Sequence, residues 1–528
     1  MKHLFSLVLL LPFSFTASAQ KEMKIEKGSF CIPVENMVVY GEPLTKAVGI
    51  HLEKNDVSLK KIASVDILTP ELSEVKSVNA TFSEFGSEGI IHVTVINKNF
   101  GSDVLQLWLN KDLKELQRSY QNSEDAKKNA ETKGIQKDML PHRHNVMSAL
   151  EDLNDLYTPD GQLYLYYDNG VGPGLGNVGK FTDDGAKTTL LRYSMNGKKH
   201  SLAWQCDLSA LQNISSYKMI VSGNLVFLET ISEITTDSDA GQMNIICIDY
   251  TTGSMIWNTL VPMTEGLCPE APVLSYNEKT SVLTFAGMES APYQWKKTMK
   301  AGKPACQIYL GTIDKSSEVK VTHTNMPEFE TDSFPGYNMS NKLDRPYWEP
   351  SMVVTRADGS HLACGMLGFV NYHPQQDIAM AGPSYLGGTR WVGGSMFATF
   401  GDGGASAKIT CNYFENYGSY MNNVSEFTPC YWDEANNKMC MALVNSNEAA
   451  IPATDRFTVA YYMLEVTGND SKIEFITTAD DQDLEFSATS QGIPLSTPYV
   501  LAFNSRELLY IPYSDKKPSA AISAKIKH

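Results

Sequence analysis

Five times along the chain a short hydrophobic strand runs into a polar turn and straight back into a second strand. The copies read YTPDGQLYLYYD from Tyr157, YNEKTSVLTFAG from Tyr276, TRADGSHLACGM from Thr355, WDEANNKMCMAL from Trp432 and FNSRELLYIPY from Phe503. Four of them are preceded by a proline expected to start the first strand, at Pro272, Pro350, Pro429 and Pro498, which are 78, 79 and 69 residues apart. One such hairpin cannot bury its own apolar face. Copies at this spacing must stack into an array of small sheets or close into a ring of them.

Period-two alternation and β-branched or aromatic runs dominate from Phe30 to Lys525. Paired strand runs begin near Met37 (MVVYGE, AVGIHLE), Ile90 (IIHVTVIN, VLQLWLN), Leu163 (LYLYYDN, TTLLRYS) and Asn224 (NLVFLETI, NIICIDY). Four more begin near Ser281 (SVLTFAG, CQIYLGTI), His361 (HLACGMLGF, SMFATFG), Lys438 (KMCMALVN, FTVAYYMLEV) and Glu507 (ELLYIPY, AAISAKI). Most units add a leading and a trailing strand, which makes about four strands each. The expected fold is all-β: one β-propeller domain over residues 20–528, with four-stranded antiparallel blades, eight favoured and seven the alternative. The segment Lys24 to Val34 offers a strand that can pair with the last unit and remove the open edges. A parallel solenoid has shorter, more uniform repeats.

Two stretches carry a resemblance. IICIDYTTGSMIWNTL, Ile245 to Leu260, resembles the repeat of quinoprotein-type propellers, and the PDG and ADG hairpins resemble TolB-like propeller repeats. Each covers a single hairpin and implies membership of the β-propeller superfamily, with no catalytic residue carried over. The adjacent cysteine pair common in quinoprotein cofactor sites is missing, as is the sialidase turn S-x-D-x-G-x-x-W.

The first 19 residues read as a signal peptide: Lys2 and His3, an apolar stretch from Leu4 to Phe15, then Ala17-Ser18-Ala19. The stretch is shorter than the ~20 residues a membrane span needs. Cleavage before Gln20 predicts an exported, soluble chain of 509 residues, periplasmic or extracellular and without membrane insertion. Losing Lys2 takes the formal charge from −16 to −17, with 43 basic residues against 60 acidic. That balance excludes nucleic acid and anionic lipid as general partners. The nine cysteines are scattered with no CxxC pair, and Cys247, Cys306, Cys364 and Cys440 lie in strand runs. Buried thiols acting as small hydrophobes are the default, with room for one or two disulfides. Nothing here fixes an oligomeric state.

Helical signal is confined to Lys111–Met139, a polar stretch with apolar residues at Leu113, Leu116 and Tyr120. It predicts an exposed, partly helical insertion.

Turns between first and second strands are tight, whereas the connections between second and third strands are long. The long set includes Asn169–Lys180, Ile231–Gln242, Met288–Lys303, Val370–Gly394 and Asn445–Asp455. Long loops gathered at one end of a rigid scaffold are where function is normally carried. Val370–Gly394 holds Tyr372, His373, Asp377, Arg390 and Trp391, the preceding loop holds Trp295, and the connection DRPYWEP adds Asp344, Tyr347, Trp348 and Glu349. Aromatic faces beside Arg and polar groups suit a glycan or a peptide. The expected ligand-binding set is therefore Trp295, Tyr347, Trp348, Tyr372, His373, Arg390 and Trp391, for a glycan, peptide or surface protein. The alternative is a carbohydrate-active hydrolase or lyase that uses Asp344, Glu349 or Asp377 as acid and base with His373.

Other motifs are weaker. GPGLGNVGKFT, Gly172 to Thr182, approaches a phosphate loop, but Phe181 stands where Ser or Thr must hold magnesium. His142 and His144 share a strand face without a third ligand. DSDAG at Asp237 and DDQD at Asp480 have spacing suited to calcium but complete no calcium loop, so no metal or other cofactor is expected.

Overall fold

The computed structural model describes residues 21–85, 89–97, 103–122, 156–167, 188–196, 199–211, 214–232, 242–270, 272–290, 306–326, 345–372, 388–401, 407–413, 430–433, 438–445, 455–467, 470–478, 484–486, 499–503, 507–511 and 520–527. Every element in them is a strand, and the sheets follow one another as antiparallel meanders.

The first sheet joins Phe30–Val34, Met37–Pro43, Gly49–Asn55 and Lys61–Leu68. The second joins Ser77–Ser83, Ile90–Ile96, Asp103–Leu109 and Glu115–Asn122. The third joins Leu156–Thr158, Gly161–Tyr167, Thr188–Asn196 and Lys199–Asp207, and the fourth Ile214–Ser222, Leu225–Ser232, Met243–Asp249 and Met255–Leu260. The fifth has a split first strand, Cys268–Pro269 and Val273–Asn277, then Val282–Ser290, Cys306–Ile313 and Val319–Asn325. The sixth joins Arg345–Thr355, His361–Tyr372, Gly388–Phe400 and Lys408–Tyr413.

The seventh sheet has nine strands. Cys430–Asp433, Lys438–Asn445, Asp455–Thr467 and Asp470–Thr478 form one meander, with Leu484–Phe486 against the start of its third strand. Tyr499–Phe503, Glu507–Ile511 and Ala520–Lys527 form another, and Lys21–Lys24 pairs antiparallel with Ala520–Ser523. Two rungs, Thr477 with Lys527 and Thr478 with Ile526, join the two meanders. The pairing of the first strand with the last closes an edge that would otherwise be free to pair with another chain.

Within each of the first six sheets the fourth strand is an edge strand. Met255–Leu260 is the clearest case, with Ile256 and Leu260 exposed at 52% and 56%. First strands touch the first strands of neighbouring sheets, as Phe30–Val34 does Ser77–Ser83, and Val273–Asn277 does both Ile214–Ser222 and Arg345–Thr355. Apolar seams then run from sheet to sheet. Phe227 and Ile245 pack on Leu283 and Tyr309, Met288 and Ile308 on Trp348 and Leu367, and Leu362 and Phe397 on Met439 and Met441. Leu509 and Ala521 of the last sheet close on Cys31, Val38 and Tyr40 of the first. Successive meanders with inner first strands and a seam returning from last to first form the arrangement of a β-propeller.

All five hairpins of the repeat are first-to-second strand turns, and all eight paired runs are the second and third strands of a meander. Two expectations change. Pro350 lies inside its strand, not before it, at a register shift between Pro350 and Met352. The helical reading of Lys111–Met139 fails over its described part, because Glu115–Asn122 is the outer strand of the second sheet, in register with Asp103–Leu109. Leu, Lys, Glu, Gln and Arg favour helix intrinsically, but the open edge of a buried strand offers a full ladder of hydrogen bonds, and pairing wins. Residues 123–139 lie outside the described residues, as does the signal segment 1–19.

The tight turns are built alike. After the third strand, Asp56, Asn110, Asp249 and Asp314 each accept hydrogen bonds from backbone amides two to four residues on. These bonds hold Leu59, Leu113 and Ser317 at φ of 56°, 62° and 63°, a left-handed turn that side chains rarely adopt unsupported.

Candidate functional site

Six long connections join second to third strands, so they leave those strands at the end of the ring opposite these capped turns. They are residues 168–187, 233–242, 291–305, 373–387, 446–454 and 512–519. The turn end has a different task. Asp160, in the PDG turn of the third sheet, binds Arg192 at 2.5 Å and accepts a hydrogen bond from Tyr250 of the fourth sheet at 2.9 Å. Arg192 also lies 4.1 Å over the Tyr250 ring. From the other side, Trp108 of the second sheet donates to the Gly161 carbonyl at 2.9 Å. Lys111 of the second sheet likewise reaches Glu35 of the first at 2.7 Å. These turns lock neighbouring sheets together.

The residues expected to bind ligand divide on inspection. Trp295, Asp344, His373 and Asp377 lie outside the described residues. Arg345 to Glu349 is not a connection but the start of the sixth sheet's first strand, where Tyr347 pairs with Gly368 and Glu349 with Met366. The loop read as Val370–Gly394 is shorter too. Tyr372 ends one strand, and Arg390 and Trp391 lie in the next, opposite Val370 and Phe369. Trp348 is corrected outright: 1% exposed, it packs in the seam between the fifth and sixth sheets against Met288, Ile308 and Leu367. An aromatic flanked by proline-rich sequence reads as a loop anchor, yet strand alternation sends Trp348 into the seam and leaves its neighbour Glu349 for the opposite face. The phosphate-loop-like stretch 172–182, His142 and His144, and the acidic clusters at 237–241 and 480–483 lie outside the described residues. Among the described residues no group of three or more His, Cys, Asp or Glu is placed to hold a metal ion.

The strongest concentration of polar groups lies inward of the long-loop end, across the fourth, fifth and sixth sheets. Lys218, on the fourth sheet's first strand, stands directly opposite Glu229 on the second. Its charge also senses Glu349 of the sixth sheet's first strand. Glu229 is 0% exposed, and neither of its carboxyl oxygens completes a hydrogen bond among the described residues. Loss of water pushes its pKa up to about 8, with Lys218 only partly offsetting the rise. Burial likewise holds Lys218 below the usual lysine range, against the pull of both glutamates.

The fifth sheet supplies a second carboxylate with the opposite bias. Glu289, also 0% exposed, accepts hydrogen bonds at Oε1 from His323 Nδ1 at 2.8 Å and from the Thr264 hydroxyl, and at Oε2 from the Thr264 amide at 3.0 Å. Burial raises its pKa, but these bonds outweigh that and the net shift is downward. Tyr309 is wholly buried, and its phenol is raised well above its ordinary value by burial and then by Glu229, Glu289 and Glu270. Its hydroxyl donates to the Glu270 carbonyl at 3.2 Å. Gly287 makes room for it, since a Cβ there would stand 2.3 Å from the Tyr309 hydroxyl. Ser290 donates to Glu270 Oε1 at 2.9 Å, at the foot of the 291–305 connection.

Two buried carboxyls with pKa values driven apart, one protonated and one ionised near neutral pH, are the raw material of acid–base chemistry. Glu349 is the one described member of the predicted acid set, and it belongs to this cluster. Glu229, Glu289, Lys218 and Tyr309 were not expected. Their signal was a charge set inside an apolar middle or inner strand (NLVFLETI, VLTFAGMES, SSYKMIVS), which loop-centred reading passes over.

No family model matches the chain, and no curated protein does. Among solved structures it is similar to the polysaccharide lyase Uly1, at 9% identity and a TM-score of 0.40, covering 96% of this chain and 98% of that one. It is also similar to the WD40 domain of SCAP from fission yeast, at 11% identity and a TM-score of 0.33, with coverage of 96% and 98%. An α-L-arabinofuranosidase of Fusarium graminearum matches at 11% identity and 0.29, covering 70% of this chain and 91% of that one. At these scores none of them bears on the chemistry of this chain.

Proposed function

We propose that this protein is an exported, eight-bladed β-propeller that binds a glycan on its long-loop end and cleaves it by acid–base chemistry, as a hydrolase or a lyase. The eighth blade is Tyr499–Phe503, Glu507–Ile511 and Ala520–Lys527 completed by Lys21–Lys24. The observation that carries the proposal is the opposite bias of the two fully buried carboxyls Glu229 and Glu289, both of which act on the phenol of Tyr309. In this reading Glu229 is the proton donor, Glu289 the ionised partner oriented by His323, and Glu349 tunes Lys218 across the ring. Trp295, Tyr347, Tyr372, His373, Arg390 and Trp391 supply the glycan platform above, where rings cover sugar CH faces and Arg390 fixes a hydroxyl or a uronate.

A second reading, a binding module without turnover, is favoured by the complete burial of both Glu229 and Glu289. A panel of polysaccharides incubated with the protein, with products read by mass spectrometry, separates the two. Products carrying one added water per cleavage mark a hydrolase, and unsaturated ends a lyase. Glycan retention with no product establishes the module, and neither retention nor product refutes the glycan assignment.

A further inference from the structure

The seam between the sixth and seventh sheets holds two sulfurs that the acid–base cluster does not use. Cys364 Sγ lies 3.6 Å from Cys430 Sγ. Cys364 sits mid-strand, 0% exposed, among Leu362, Phe397, Met439 and Met441. Cys430 is half-buried and is the first residue of the strand Cys430–Asp433.

We propose that Cys364 and Cys430 form a disulfide that staples the sixth sheet to the seventh in the mature protein. The sulfurs must close to roughly 2 Å, a movement within reach of a side-chain rotation at Cys430, whose residue starts its strand. The half-exposed Cys430 is the entry point. Its thiolate attacks a disulfide of a thiol–disulfide oxidoreductase, or of oxidised glutathione, forming a mixed disulfide and releasing one thiol. Cys364 then attacks the Cys430 sulfur and expels the second thiol. Two S–H bonds become one S–S bond, and the oxidant gains the two electrons and two protons. The bond closes a 66-residue separation around the connection 373–387, so it restricts the unfolded chain and prevents the seam from opening beside the proposed glycan platform.

The full chain recovered from the exporting compartment is alkylated without reduction, digested and mapped. The expected product is a peptide pair joining Cys364 to Cys430, two hydrogens lighter than the separate peptides. Adding dithiothreitol should lower the Tm by several degrees, to the value of the C364S/C430S double variant, which itself ignores the reductant. A second arm produces the protein reduced and exposes it to a glutathione redox buffer, so that the result does not depend on the export reading. Alkyl label on both cysteines after that oxidation, or a map joining Cys430 to Cys440 instead, overturns the proposal. If the double variant does not fold, the wild-type peptide map decides alone.

Discussion

Glu229 is the residue on which most depends. A carboxyl whose folded pKa is raised to about 8 holds a proton that the unfolded chain releases at the ordinary carboxylate value. Its contribution to stability is therefore full below that ordinary value and is lost as pH rises toward about 8. Within this window the slope is about 1.4 kcal/mol per pH unit for one proton. Glu229→Gln removes the titration while keeping the shape. The variant should gain stability relative to wild type as pH is raised from about 5 to about 9, by an order of a few kcal/mol. Urea unfolding across that range checks this, and parallel pH profiles would place the proton elsewhere. Glu289 has the opposite sign: its stabilisation is present at neutral pH and is lost on acidification, as the carboxylate bonded to His323 and Thr264 is protonated.

Among the elements, the turn end and the long-loop end divide the work. Asp160 illustrates the first. Burial raises its pKa, but Arg192 and Tyr250 bring it below the usual range, so the carboxylate is ionised when it bridges the third and fourth sheets. Its side chain is 44% exposed, so solvent discounts the ion pair, whereas Arg192 at 12% is left in the interior if the carboxylate goes. Asp160→Ala should cost about 1–3 kcal/mol, and Tyr250→Phe about 1. The two losses should be less than additive in a double-mutant cycle by urea denaturation, because both remove the same bridge. Strict additivity would mean that the turn does not couple the sheets.

The same division explains what the sequence revealed. Alternation and turn residues are local, so every middle-strand pair and every repeated hairpin could be read directly. Glu115–Asn122 could not, because its partner strand, not its own composition, decides its state. Trp348 was misplaced for a related reason: DRPYWEP looks like a linker, and only the pairing of Trp348 with Leu367 reveals a strand and hence a seam-facing ring. Of the candidate site, Glu349 stands out in the sequence as an acid beside aromatics, whereas Glu229 and Glu289 do not, since they belong to other sheets, 120 and 60 residues away in sequence.

At the scale of the whole molecule, closure makes the site. Glu349 of the sixth sheet acts on the charge of Lys218 of the fourth, and the last sheet returns to the first through Leu509, Ala521 and the Lys21–Lys24 pairing. The ring thus gathers polar groups that no single sheet could assemble. Its tight-turn end is bonded from sheet to sheet, while its other end carries long connections of unequal length, where a rigid scaffold normally places a ligand site. The central claim is that Glu229 and Glu289 carry out proton transfer on a bound glycan, and it is tested most directly by turnover in wild type, E229Q and E289Q. The glycan is the one identified with the wild-type protein, and circular dichroism confirms the fold. Each substitution is predicted to lower kcat by about 100-fold or more while glycan binding stays within a few-fold of wild type. Wild-type turnover in either folded variant would contradict it.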